Sequence, residues 1–136
     1  MSKVVIIGSG IAGLFAALRL DKAGHQVIII TKQRPEDSST NWAQGGIAGI
    51  LDKTDGEGME SHISDTLSCG DGLCNEKIVR CVVEEAGDRI RDLLAAGVNF
   101  EKDGTDFHYV KEGGHTARRI LHAKDATGAE IERALN

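Results

Sequence analysis

The sequence is short of the features that mark disulfide-rich, zinc-binding or nucleic-acid-binding chains. Its three cysteines, Cys69, Cys74 and Cys81, are odd in number and contain no Cys-x-x-Cys pair. That excludes a complete disulfide framework and the usual tetrahedral zinc arrangement, and predicts reduced thiols in a cytoplasmic protein. The five histidines show no His-x-x-x-His or His-Glu-x-x-His spacing, so spacing along the chain predicts no metal site. Positive charge is not in excess either: 16 Lys and Arg are interspersed with 21 Asp and Glu. No basic stripe exists to neutralise a phosphate backbone, and nucleic acid is not an expected partner. Long apolar runs are also missing. The stretch from Val4 to Leu18 is broken by Gly8, Gly10 and Gly13, falls short of the roughly 20 residues needed to span a bilayer, and is followed by no Ala-x-Ala cleavage pattern. Neither export nor membrane insertion is expected.

What is present is the composition of a soluble globular domain, 40% hydrophobic and 27% charged. Lys3 to Ile7 is a β-branched run of the kind buried on both faces of a parallel sheet. Helical spacing follows, with Leu14, Ala17 and Leu18 on one face and a stop at Ala23-Gly24. Val27 to Ile30 then supplies a second strand, parallel to the first, and residues 3–31 read as a βαβ unit. Residues 32–58 contain the only proline, Pro35, and no hydrophobic period, which predicts a long functional loop.

Residues 59–97 read as helical. A short helix is expected over 60–69 and a long one over 75–96, with Ile78, Val79, Val82, Val83, Ala86, Ile90, Leu93 and Leu94 on one stripe, ended by Gly97. Residues 98–124 hold extended pieces around 98–101 and 107–111, joined by the hairpin dipeptide Asp103-Gly104, and a further strand over 118–123. Thr127-Gly128-Ala129-Glu130 has capping-box spacing and predicts a helix over 127–136.

Gly8-Ser9-Gly10-Ile11-Ala12-Gly13 is a Gly-x-Gly-x-x-Gly turn in the context that gives it meaning, after a strand and opening a helix. Gly8 permits the tight turn, Gly10 lets a diphosphate approach the backbone, and Gly13 lets the helix pack on the strand. The diphosphate would rest at the positive helix N-terminus. The ribose-binding acid expected about 20 positions later is missing, since the second strand ends Ile30-Thr31-Lys32. Thr31 and Lys32 are candidates to meet the adenosine ribose or phosphate; a solvated end-of-strand charge is the alternative for Lys32.

Ser39-Thr40-Asn41-Trp42-Ala43-Gln44-Gly45-Gly46-Ile47 resembles the flavin loop of the succinate dehydrogenase, fumarate reductase and L-aspartate oxidase flavoproteins. Small residues there let backbone N–H groups reach the isoalloxazine edge. Glu112-Gly113-Gly114-His115, with Arg118-Arg119-Ile120-Leu121-His122-Ala123 and Asp125-Ala126-Thr127-Gly128, resembles the L-aspartate oxidase signature in particular.

The resemblance implies the N-terminal part of a doubly wound, Rossmann-like α/β FAD-binding domain with an incomplete sheet, the capping and C-terminal domains lying beyond Asn136. It implies FAD-dependent oxidation of L-aspartate to iminoaspartate, with O2 or fumarate as acceptor and quinolinate synthase as the next enzyme toward NAD. Membrane-bound members attach FAD through a histidine five residues before the motif glutamine; that position here is Ser39, implying non-covalent FAD. Glu112 is the candidate for the substrate ammonium, with a solvated loop acid as the alternative. Arg118, Arg119 and His122 either face a dicarboxylate or the flavin, or pair with Asp125 or Glu112. A soluble fumarate reductase and a non-catalytic dinucleotide-binding fragment are the competing readings.

Overall fold

The computed structural model describes residues 1–136. In chain order the elements are β1 (Lys3–Ile7), α1 (Ile11–Lys22), β2 (Gln26–Ile30), β3 (Ile47–Ala48), α2 (Gly56–Cys69), α3 (Glu76–Ala95), β4 (Lys102–Asp103), β5 (Asp106–Phe107), β6 (Tyr109–Val110), β7 (Ile120–Leu121) and α4 (Thr127–Leu135). The mixed α/β architecture and the parallel β1–β2 pair agree with the sequence expectation, Val4 lying opposite Val27 and Ile6 opposite Ile29. Helix α1 carries Arg19 and Lys22 in its last turn, where cations complement the helix dipole. One face of the pair packs on α1. The other is open: Val5, Ile7, Ile28 and Ile30 remain 51%, 88%, 39% and 53% exposed, so the two-sided burial expected of such strands is realised on one side only.

Strand β7 is the middle of a three-stranded antiparallel sheet, between β3 and β6. It brings the flavin-loop segment and the segment after Glu112 side by side.

Four local expectations shift. The helix expected to start at residue 60 starts at Gly56, because the Asp55 side chain accepts the Gly58 N–H at 2.8 Å and caps it earlier. On α3 the buried stripe begins at Val83 and continues through Gly87, Ile90 and Leu93, while Ile78 and Val82 stay exposed; periodicity marks a stripe but not how much of it is covered. The hairpin is shorter than expected, β4 against β5, reversing through Gly104 at φ +65° and Thr105. The capping box at Thr127 does not form. Thr127 Oγ1 accepts from the Ala123 N–H at 3.0 Å, and Glu130 accepts from Asn99 N at 2.7 Å and from Arg133. Other donors outcompete the capping pattern.

The core gathers Leu14, Ile90, Leu93, Val98, Phe100, Leu121, Ile131 and Leu135. It lies where α1, α3, β7 and α4 meet and ties the N-terminal unit to residues 98–135. Truncating a fully buried side chain such as Ile90 would cost about 2–5 kcal/mol.

Candidate functional site

The turn between β1 and α1 opens a cleft of about 590 Å³, lined by residues 7–10, 30–33 and 37–40. Gly8, at φ +109°, donates its N–H to Ile30 O at 2.8 Å and closes the turn across the strand pair. Gly13 is required by contact: a Cβ there would stand 2.1 Å from the Gly8 carbonyl oxygen. The Ser9 hydroxyl donates to Thr31 Oγ1 at 3.1 Å, and Ile11 N–H donates to Thr40 Oγ1 at 3.0 Å. The loop at residues 38–40 is thereby pinned to the helix start. Gly10 caps α1 without a side chain, and no acid occupies its first turn, so the end of the helix presents its partial positive charge to the cleft, with Lys32 beside it.

Not every glycine-turn or flavin-loop candidate reaches this cleft. Gly8, Ser9, Gly10, Lys32, Ser39 and Thr40 line it. Ile11 packs against the core and Ala12 is exposed on the helix. Asn41, Trp42, Ala43, Gln44, Gly45 and Gly46 run away from the cleft toward α4 and residue 112. Ala43 O accepts the Gly128 N–H at 3.0 Å, Trp42 is 74% exposed, and Gly46 N–H donates to Glu112 Oε1 at 3.3 Å. The two signature segments therefore meet at the Glu112 carboxylate.

The loop that carries Glu112 is held from behind by charge. Arg119, 3% exposed, donates to Asp65 Oδ2 at 2.6 Å and to Ser61 Oγ at 2.9 Å, and its guanidinium lies 3.0 Å from His115 Nδ1. The same Asp65 oxygen accepts the Thr116 N–H at 2.8 Å and its hydroxyl at 2.9 Å. The Arg119 hydrogen bond, seconded by the Thr116 N–H, holds the Asp65 carboxyl well below the usual carboxylate range. Burial, and then the nearby Arg119 and His115, push the His62 pKa down. Arg119 thus pairs with neither Glu112 nor Asp125, which corrects the pairing offered for it. His122 lies beside Glu101, 3.6 Å away, and Arg118 is exposed and without an ion pair.

Residues 3–135 match the FAD binding domain family. The chain belongs to that family. The L-aspartate oxidase of Streptomyces coelicolor is 49% identical over 134 residues, covering 97% of this chain and 23% of that protein. The chloroplastic L-aspartate oxidase 2-a of Nicotiana tabacum is 50% identical over 132 residues, covering 96% and 20%. This FAD-binding chain thus spans about a fifth to a quarter of the length of the curated relatives it matches. Among solved structures, the Sdh1 complex of Mycobacterium smegmatis aligns with a TM-score of 0.89 at 33% identity, over 98% of this chain and 23% of that one. An E. coli quinol fumarate reductase aligns at 0.87 and 27% identity, over 99% and 24%.

The cofactor is FAD, and the residues present fit it. The glycine turn leaves its backbone bare beside a helix end whose N-cap, Gly10, carries no side chain, and Thr31 and Lys32 stand where a ribose-binding acid would mark a plain NAD site. Sequence reasoning missed Asp37, which lines the cleft, Asp65, and Glu132, which is 2% exposed and accepts from the Ser38 hydroxyl. Asp65 and Glu132 sit on helices among other acids, where spacing alone reads them as solvated charges.

Proposed function

We propose that this chain is the FAD-holding part of an L-aspartate oxidase, which oxidises L-aspartate to iminoaspartate with O2 or fumarate as acceptor and passes the product toward quinolinate synthase and NAD. The observation that carries the reading is the Glu112 carboxylate seated on the Gly46 N–H, 66 residues away along the chain. When bound, FAD supplies the two-electron sink for such an oxidation. The chain's own residues divide the remaining work. Gly8, Ser9 and Gly10 hold the diphosphate, Ser39 and Thr40 border it, and residues 41–46 lead from the cleft to Glu112. Ser39 offers no imidazole, so FAD is held without a covalent bond. The Asp65–Arg119 pair keeps Glu112 in place, and Glu112 adds negative charge where an α-ammonium is to be received.

The alternative is a soluble fumarate reductase; the structural likeness to a quinol fumarate reductase supports the fumarate-reducing part of that reading. Glu112 separates the two, because fumarate has no ammonium. In the whole protein, Glu112→Gln keeps an oxygen for the Gly46 N–H and removes the charge. Oxidation of L-aspartate should then fall about five-fold to a hundred-fold in kcat/KM, corresponding to roughly 1–3 kcal/mol, while reduction of fumarate on the same preparation holds. Equal loss of both activities would assign Glu112 to the fold or the flavin; no loss would make it a solvated loop acid. Denaturing the FAD-loaded protein should release free FAD into the supernatant.

A further inference from the structure

Away from the nucleotide cleft, Glu101, His108 and His122 converge, with one donor atom from each lying within 4.8 Å of the other two. Nothing in their spacing along the chain announces this; the hairpin and β7 bring them together. Glu101 is the hub. Its N–H donates to His122 O at 2.9 Å, and its carbonyl accepts the His108 N–H at 3.0 Å. The backbones of all three residues are therefore fixed to one another before any side-chain contact is counted.

The side chains are then shared out by atom. Glu101 Oε1 accepts the Lys124 N–H at 3.1 Å, which leaves Oε2 facing both imidazoles, 3.6 Å from His122 Nδ1 and 3.8 Å from His108 Nδ1. These separations are too long for hydrogen bonds. They lie within about 0.5 Å of the roughly 3.3 Å that separates ligand atoms around a tetrahedral zinc ion with bonds of about 2.0–2.1 Å. The remaining ring nitrogen of His108, Nε2, lies on the side of Asp103, 4.0 Å from its Oδ2 and beyond hydrogen-bond reach. His122 turns its Nδ1 to the same carboxylate oxygen, with Lys124 O 3.4 Å away, while its Nε2 is buried without a partner.

We propose that Glu101, His108 and His122 form a site for a divalent transition-metal cation of the zinc type. Two imidazoles and one carboxylate suit zinc, whereas calcium and magnesium prefer all-oxygen surroundings. Glu101 and His108 side chains are 38% and 37% exposed, which leaves a fourth position to water. The bound ion fastens the β4–β5 hairpin to the end of β7. It takes no part in the chemistry proposed at Glu112.

The test is titration of the untagged, chelator-treated 136-residue chain with Co2+ and, separately, Zn2+. Expected are a ligand-field absorption band that saturates at one equivalent of Co2+, its loss on adding Zn2+, and a rise in Tm with Zn2+. His108→Ala and Glu101→Gln should each weaken Co2+ binding by more than the about 10- to 100-fold that loss of an outer partner produces, with circular dichroism confirming that both variants are folded. His25→Ala, at a half-buried histidine bonded to Ser2, and a variant with all three cysteines changed to serine should bind as the parent does. The proposal is overturned if no band or Tm rise appears, if His108→Ala and Glu101→Gln bind normally, or if removing His25 or the thiols abolishes binding.

Discussion

The nucleotide cleft and the Glu112 loop face the same function with opposite materials. The cleft is made by leaving side chains out: Gly8 turns, Gly10 stays bare, and Gly13 lets α1 pass within contact of the Gly8 carbonyl. The loop is made by putting charge in, with a buried guanidinium and a carboxylate from α2 bracing residues 115–119. Backbone geometry does not titrate and tolerates no added atom. A braced ion pair tolerates changes of shape but responds to protons and to the loss of either partner. The two regions should therefore fail under different perturbations.

The largest expected effect is steric and falls on the cleft. Gly13→Ala places a methyl 2.1 Å from Gly8 O, so α1 must move off the strand, at about 1–3 kcal/mol for overpacking. FAD affinity, read by flavin fluorescence, should drop about five-fold to over a hundred-fold in step with that energy. An unchanged affinity would break the claim that bare backbone shapes this region.

Next comes acid sensitivity, which belongs to the loop side. A carboxyl whose folded pKa is depressed contributes stability above its unfolded value and loses that contribution as pH falls toward the folded one. Asp65 is depressed by Arg119 and the Thr116 N–H, and outside that loop, on α4, Glu130 is held down to about 2 by Arg133 and the Asn99 N–H. Stability should thus decline as pH falls from about 4.5 toward 2. Asp65→Asn should lower Tm at pH 7 and flatten its fall between those limits. A parallel curve for the variant would show that the Asp65–Arg119 pair does not brace the loop.

The smallest effect tests charge in the cleft. Lys32 is exposed there, so Lys32→Ala should weaken FAD binding by about 0.2–1 kcal/mol, less than about six-fold, and the difference should shrink in high salt. A salt-independent loss of similar size would assign Lys32 a packing role through its stem instead.

How much of this was legible beforehand follows the same divide. The βαβ unit and its glycine turn are contiguous in sequence, and their residues act through local geometry, so Lys3 to Ile30 could be read directly. The join between Gly46 and Glu112 was legible only as two separate resemblances. The partner of Arg119 was not legible because Asp65 stands 54 residues earlier on α2 among exposed acids, and nothing local distinguishes a buried carboxylate from a solvated one. The capping box at Thr127 failed for a related reason, since Asn99 and Arg133 offered Glu130 better partners than its own helix end did.

By itself, then, the sequence determined the βαβ unit with its glycine turn and the positions of the longer helices. Those are consequences of near-neighbour sterics and hydrophobic period. Tertiary structure alone decided which charges are buried, which carboxylate meets the flavin loop, and that Glu101, His108 and His122 share one corner. Desolvation and Coulomb attraction depend on what lies within a few ångströms in space, and distance along the chain does not carry that information.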